Sequence, residues 1–147
     1  MSDELLPSFV CTAMMRIGTR MAAQFDQHFA RFGLTQAQFR MLLTIWEEGG
    51  EEGIPPSTLA ERLLIERATV SVLTNRMVER GWLARQAGEN RRTFLLVLTE
   101  AGKARLQEAL PHAIALADET LAGFQREELR GALALLEQLE AHLREGE

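Results

Sequence analysis

Apolar side chains recur every three or four positions at Met14, Ile17, Met21, Phe25, Phe29 and Phe32, which predicts an amphipathic helix from about Phe9 to Phe32. Gly33 follows as a residue that tolerates the left-handed backbone of a helix end. Thr35 and Gln38 then have the spacing of a capping box, opening a second helix with Phe39, Leu42, Leu43, Ile45 and Trp46 on its apolar side. Glycine and like-charge repulsion stop that helix in EEGGEEG, from Glu47 to Gly53. Ile54-Pro55-Pro56 is expected to be extended, because a residue before proline avoids the helical region.

A short third helix is predicted next, capped by Ser57 or by Thr58 in a box with Glu61, and lined by Leu59, Ala60, Leu63 and Leu64. After a break at Ile65-Glu66-Arg67 the helical period resumes at Val70, Leu73, Met77 and Val78 and ends at Gly81. Two short helices around a tight break form a helix-turn-helix pattern. Trp82 to Gln86 and Thr93 to Thr99 read as strands joined across Gly88-Glu89-Asn90. Thr99 opens a long helix to about Thr120, with a bend expected at Pro111, and Gly123 precedes a last helix carrying Leu129, Leu133, Leu136, Leu139 and Leu143. That leucine stripe and the Met/Phe stripe of the first helix both exceed what a small middle domain can cover. Leaving several hundred square ångströms of apolar surface in water costs roughly 25 cal/mol per Å². A homodimer is therefore expected.

Composition changes this picture in two places. The 147 residues carry a net charge of −5, which alone argues against a nucleic-acid partner. The charge is unevenly placed, however: residues 54–99 hold seven arginines against four glutamates, and both flanking segments are net negative. No apolar run approaches the roughly 20 residues that span a bilayer, and the acidic start MSDELLPSFV lacks the basic residues of a signal peptide, so a cytoplasmic protein with no membrane contact is expected. The lone Cys11 cannot form an internal disulfide.

The order of elements and the motifs along them resemble the MarR family of dimeric winged helix-turn-helix transcription regulators. Leu34-Thr35 with Gln38 resembles the family's LT-x-x-Q, and Leu59-Ala60 with Leu63 its LA-x-x-L. VSVLTNRMVERG, Val70 to Gly81, is similar to its recognition helix. Arg85, Asn90-Arg91-Arg92 and Val97-x-Thr99-x-x-Gly102 resemble its wing signature. Each fragment is weak alone; their order and spacing together are specific. Two departures stand out. Asn90 replaces the usual aspartate, which holds a wing arginine by a charged hydrogen bond, and the loop after Arg85 is one residue short.

The resemblance implies a mainly α fold with a small β-wing, residues 34–102 forming the winged helix-turn-helix region and residues 1–33 and 103–147 the helical dimerisation region. It implies a repressor acting on double-stranded DNA. The recognition helix would place Arg67, Thr69, Ser71, Val72, Thr74, Asn75 and Arg76 at the major groove, Arg76 toward guanine or phosphate and Asn75 toward adenine. Ser57 and Thr58 at a helix start suit phosphate, and Asn90, Arg91 and Arg92 suit the minor groove. The ordinary alternative is that charged hairpin tips and polar helix faces are merely solvated.

A small aromatic or phenolic anion is the implied effector, in a pocket near Met14, Met15, Gly18, Arg40, Trp46 and His112, although Met and Trp at such positions also serve as plain core. Cys11 lies 24 residues before Thr35, similar to the reactive cysteine of the family's organic-hydroperoxide sensors. Those sensors support their thiolate with tyrosines, and this chain has none, so packing is the expected role. Three scattered histidines offer neither catalytic nor zinc-ligand spacing, and neither enzyme activity nor a cofactor is expected. A winged helix used for protein contacts is the remaining competitor, disfavoured by the positive middle third.

Overall fold

The computed structural model describes residues 2–90 and 92–145. Helix α1, Leu6–Phe29, follows a 3₁₀ turn at Asp3–Leu5 and takes Pro7 in its first turn, where no amide is needed. A second 3₁₀ turn, Ala30–Phe32, ends at Gly33, whose φ of 70° is the expected left-handed stop. Helix α2, Gln36–Thr44, has the predicted capping box: Gln38 N–H donates to Thr35 Oγ1 at 3.1 Å and Thr35 N–H to Gln38 Oε1 at 3.0 Å. It widens into a π turn, Ile45–Gly49, and this rotates Trp46 off the apolar side assigned to it. Trp46 is exposed, while Ile45 takes the buried position.

Helix α3, Pro56–Leu63, and helix α4, Arg67–Glu79, form the helix-turn-helix. The predicted Ser57 or Thr58 cap of α3 is corrected. Pro55 occupies the cap position, Pro56 starts the helix, and no side-chain hydroxyl closes the end. Proline presets the first-turn φ and removes one of the unpaired amides, and the amides that follow it stay without a side-chain cap. The break is also one residue earlier than expected, because Leu64 adopts φ 53° and turns the chain, leaving Arg67 inside α4.

Strands β1, Leu83–Ala87, and β2, Phe94–Leu98, pair antiparallel from Leu83 opposite Leu98 to Ala87 opposite Phe94. Both begin one residue later than the alternation indicated. Ile54 adds a bridge to Leu96, exchanging backbone hydrogen bonds of 3.0 and 2.9 Å, so the extended segment before α3 fastens the wing to the helix-turn-helix. Helix α5, Glu100–Thr120, continues through Pro111, and helix α6 runs Arg126–Glu145.

The core joins the end of α1 to α2, α3, α4, β2 and α5 through Phe29, Phe39, Met41, Leu42, Ile45, Leu59, Val70, Met77, Leu96 and Leu106. Phe29 and Phe39 stack with centroids 4.6 Å apart. The fold is mainly helical with a two-stranded wing, as the residue pattern predicted.

The start of α5 is locked to the wing. Thr99 Oγ1 accepts from Gly102 N–H at 3.1 Å and donates to the carbonyl of Gly81. A Cβ on Gly102 would lie 3.0 Å from the Trp82 carbonyl carbon and nearer still to its oxygen. Both sides of that contact are backbone, so neither can rotate away. Gly102→Ala should cost about 3 kcal/mol, at the upper end of overpacking penalties, and lower the melting temperature by roughly 10 °C. A thermal melt within 2 °C of the parent would refute the clash.

Candidate nucleic-acid interface

Helix α4 buries Val70, Thr74 and Met77, and turns Arg67, Thr69, Ser71, Val72, Asn75 and Arg76 outward. The period of 3.6 explains the split, since positions 70, 74 and 77 share one face. Val72 is 51% exposed on the same outer side. Thr74 corrects the outward assignment: it is 2% exposed, and its hydroxyl is the one buried side-chain polar atom without a partner among the described residues.

An unpaired buried hydroxyl costs on the order of 1–3 kcal/mol, while an apolar group of the same shape costs nothing comparable. Thr74→Val should therefore raise stability by about 1 kcal/mol and leave DNA affinity within about twofold. A melt combined with a binding titration checks this, and a marked loss of affinity would return Thr74 to the interface.

Ser57 and Thr58 sit half-buried at the start of α3, with no side-chain hydrogen bond closing that helix end. Free amides at a helix start are ready phosphate ligands. Ser57 borders a shallow recess shared with Arg67, Ser71, Asn75 and Arg85, which places the start of α3, the outer side of α4 and the wing strand on one surface.

At the wing tip Asn90 contacts no arginine side chain among the described residues. Its Oδ1 accepts from the backbone N–H of Arg92 at 2.9 Å, an Asx turn, and its carbonyl accepts from Thr93 N–H at 3.3 Å. Gly88 N–H donates to the Thr93 carbonyl at 3.1 Å, and a Cβ on Gly88 would come within 2.5 Å of Thr93 Oγ1. The short loop is thus built by Gly88, Asn90 and Thr93, and it leaves Arg92 exposed. Arg91 lies outside the described residues.

Two arginines outside the expected contact set hold elements together. Arg80 Nη1 donates to the Gly33 carbonyl at 2.6 Å, and its guanidinium lies 5.0 Å from the Trp82 ring centre, tying the end of α4 to the α1–α2 corner. Arg85 donates to Asn75 Oδ1 and stands 5.3 Å over the Phe94 ring. Arg85 was visible only as part of a motif, because its partner is ten residues away on another element.

The expected effector residues are only partly brought together. Gly18 and Arg40 border one cleft of about 370 Å³ with Met21, Ala22, Phe25, Phe29, Gln36 and Phe39. Met14 is half-buried on the same helix but is not part of the lining; Met15 is 70% exposed and borders a different surface hollow. Trp46 is exposed on the π turn, and His112 packs on Phe32 and contacts Arg31, so both leave the assignment. The reason is the α1–α2 packing, which aligns Met21, Phe25 and Phe29 with Gln36, Phe39 and Arg40. Arg40 Nε donates to Gln36 Oε1 at 2.9 Å, and loss of water around the guanidinium lowers its pKa from the ordinary arginine range. Arginine starts so high that it stays charged at neutral pH.

Cys11 is exposed in the single chain, which corrects its expected packing role at the level of one chain. No cluster of metal-ligating side chains occurs among the described residues. No described helix is long and apolar enough to cross a membrane.

Comparisons with known proteins agree with this geometry. The MarR family model matches residues 32–92, from the α1–α2 corner into the wing. The transcriptional regulator PecS of Dickeya dadantii is 28% identical over 138 residues, 93% of this chain and 83% of PecS. The M. tuberculosis regulator MosR, solved in complex with DNA, superposes with a TM-score of 0.75 at 27% identity, covering 91% of this chain and 97% of MosR. AbsC, a MarR family regulator of Streptomyces coelicolor, shares the fold with a TM-score of 0.82 at 22% identity, over 98% of this chain and 97% of AbsC.

Proposed function

The chain belongs to the MarR family of winged helix-turn-helix transcription regulators, and from that premise we propose that it is a homodimeric repressor of a pseudo-palindromic operator, released by a small aromatic anion. DNA binding and transcription regulation follow from the family; the dimer, the sense of regulation and the effector are the proposal. The observation that carries it is the single surface formed by the start of α3, the outer side of α4 and the wing, with Arg67, Arg76 and Arg92 exposed. An acidic chain that gathers its exposed arginines beside uncapped helix amides has the means to bind phosphate locally.

The dimer rests on apolar surface left uncovered by one chain. Leu6, Phe9, Val10 and Ile17 of α1, Ile114 of α5, and Leu133, Leu136, Leu139 and Leu143 of α6 are all exposed. Residues 1–33 and 103–147 would supply that interface, with residues 34–102 held toward DNA. Two α4 helices in a twofold dimer would meet half-sites about 10 bp apart or a little more.

The effector reading rests on the α1–α2 cleft, where three phenylalanines and a methionine form the walls and Arg40 supplies a cation at the rim. A planar aromatic ring with a carboxylate or phenolate matches that lining.

Selection of bound fragments from genomic DNA tests the main proposal. A pseudo-palindrome should be recovered, and adding aromatic carboxylates to the complex should release it. Equal affinity for the recovered site and its scrambled counterpart would overturn the reading.

A further inference from the structure

The pairing of β1 with β2 sets up a contact that the general scheme does not use. Arg85 faces Leu96 across the ladder, and Phe94 is its diagonal neighbour on the same face. That face is buried at Leu83, Leu96 and Leu98 and runs out to the surface at Arg85 and Phe94. The Arg85 guanidinium therefore lies over the Phe94 ring, 5.3 Å from its centre, and reaches across to the recognition helix, where it donates to Asn75 Oδ1. Asn75 is exposed beside Ser71 and Arg76, on the side of α4 turned away from the core.

We propose that Arg85 is a specificity-determining positioning residue: by holding the Asn75 carbonyl toward the wing, it makes Asn75 a donor-only reader of the major groove. This rests on the DNA-binding reading of α4. A carboxamide has one acceptor oxygen and one NH₂ group. Pairing with adenine uses both at once, the oxygen accepting from N6 and the NH₂ donating to N7. With its oxygen turned to Arg85, Asn75 offers the groove its NH₂ alone. The base edges that suit a lone donor are acceptors: guanine presents two side by side, N7 and O6, thymine presents O4, and adenine presents N7 next to the N6 donor that now has no partner. The Phe94 ring underlies the guanidinium that holds the Asn75 oxygen, so the orientation is set before DNA arrives. Asn75 should accordingly prefer guanine, whose edge offers two acceptors to the NH₂, over the adenine its residue type suggests, whose N6 donor is left unmatched.

Selection from randomised duplexes, followed by sequencing, tests this with the full-length wild type, N75A, R85A and R85K. N75A identifies the base pair that Asn75 governs. R85A frees the carboxamide to present both groups, and it should move the preference at that same base pair toward adenine by about fivefold or more. R85K keeps a donor on a similar stem and should restore part of the wild-type preference.

Arg85 is exposed, and matching thermal melts for R85A and wild type will show that the fold is intact. A uniform loss of affinity in R85A across all sequences, with a salt slope reduced by about one per protomer, would show a plain phosphate contact and overturn the proposal. A change at a different base pair, or no change, would overturn it equally. Failure of the wild type to bind any duplex at low salt would instead remove the DNA-binding reading, and this assignment with it.

Discussion

Replacing Leu133 and Leu136 together by glutamate should convert the protein to a folded monomer and weaken its grip on a palindromic operator by about a thousandfold. The two leucines are 57% and 44% exposed and lie three residues apart, on one side of α6. Among the described residues α6 buries none, so the substitutions remove nothing from the core of the single chain. Glutamate also keeps the helical propensity of the segment. In a dimer the same positions would meet apolar surface, where two desolvated carboxylates per chain cannot be paired. Once the dimer is lost, each half-site is bound separately, and the gain from linking two sites, roughly 10²–10⁴ in affinity, disappears.

Light scattering and circular dichroism should show half the mass with unchanged helix content, and a titration on the operator should show the loss. A variant that remains dimeric would move the interface away from α6. A monomer with undiminished operator affinity would sink the two-half-site mechanism itself.

What could be read directly in the sequence was whatever is written within one element. The capping box of Thr35 and Gln38 spans three residues, and the Thr99 cap spans three more, so side chain and target are set by local spacing. The face of α4 followed from the helical period alone, apart from Thr74. That residue was assigned outward on its polarity, whereas positions 70, 74 and 77 fall on one side and the backbone geometry prevails. Trp46 failed for a related reason: one π turn changes the angle of every residue in it, and no periodic pattern announces such a turn.

The remaining misses depend on contacts between elements. The Ile54 bridge to Leu96, the Arg85 contact with Asn75 and the packing of His112 on Phe32 join residues far apart in the chain. The proposed effector cleft is of the same kind. Its walls come from two helices whose stripes were legible separately, and only their packing selects Met21, Phe25 and Phe39 over Met15 and Trp46.

Operator affinity should fall by about a thousandfold between 50 and 200 mM salt, although the protein is acidic. Arg67, Arg76 and Arg92 are the described arginines exposed on the DNA-facing surface, and a dimer doubles them to about six contacts. Each phosphate neutralised contributes about −0.9 to the slope of log affinity against log salt, which gives a slope near −5. Arg85 is left out of the count because Asn75 and Phe94 already engage it.

The net charge of −5 per chain acts in the opposite direction but over a longer range. The Debye length is about 10 Å at 0.1 M salt, so distant carboxylates of α5 and α6 are screened while direct contacts at the face are not. Lowering the salt further should therefore bring back repulsion from the acidic helices and flatten the slope below about 30 mM, where screening reaches farther. Arg92→Ala should reduce the slope by about two in the dimer. A slope near zero would mean that the arginines do not touch phosphate, and the surface formed by α3, α4 and the wing would then need a partner other than DNA.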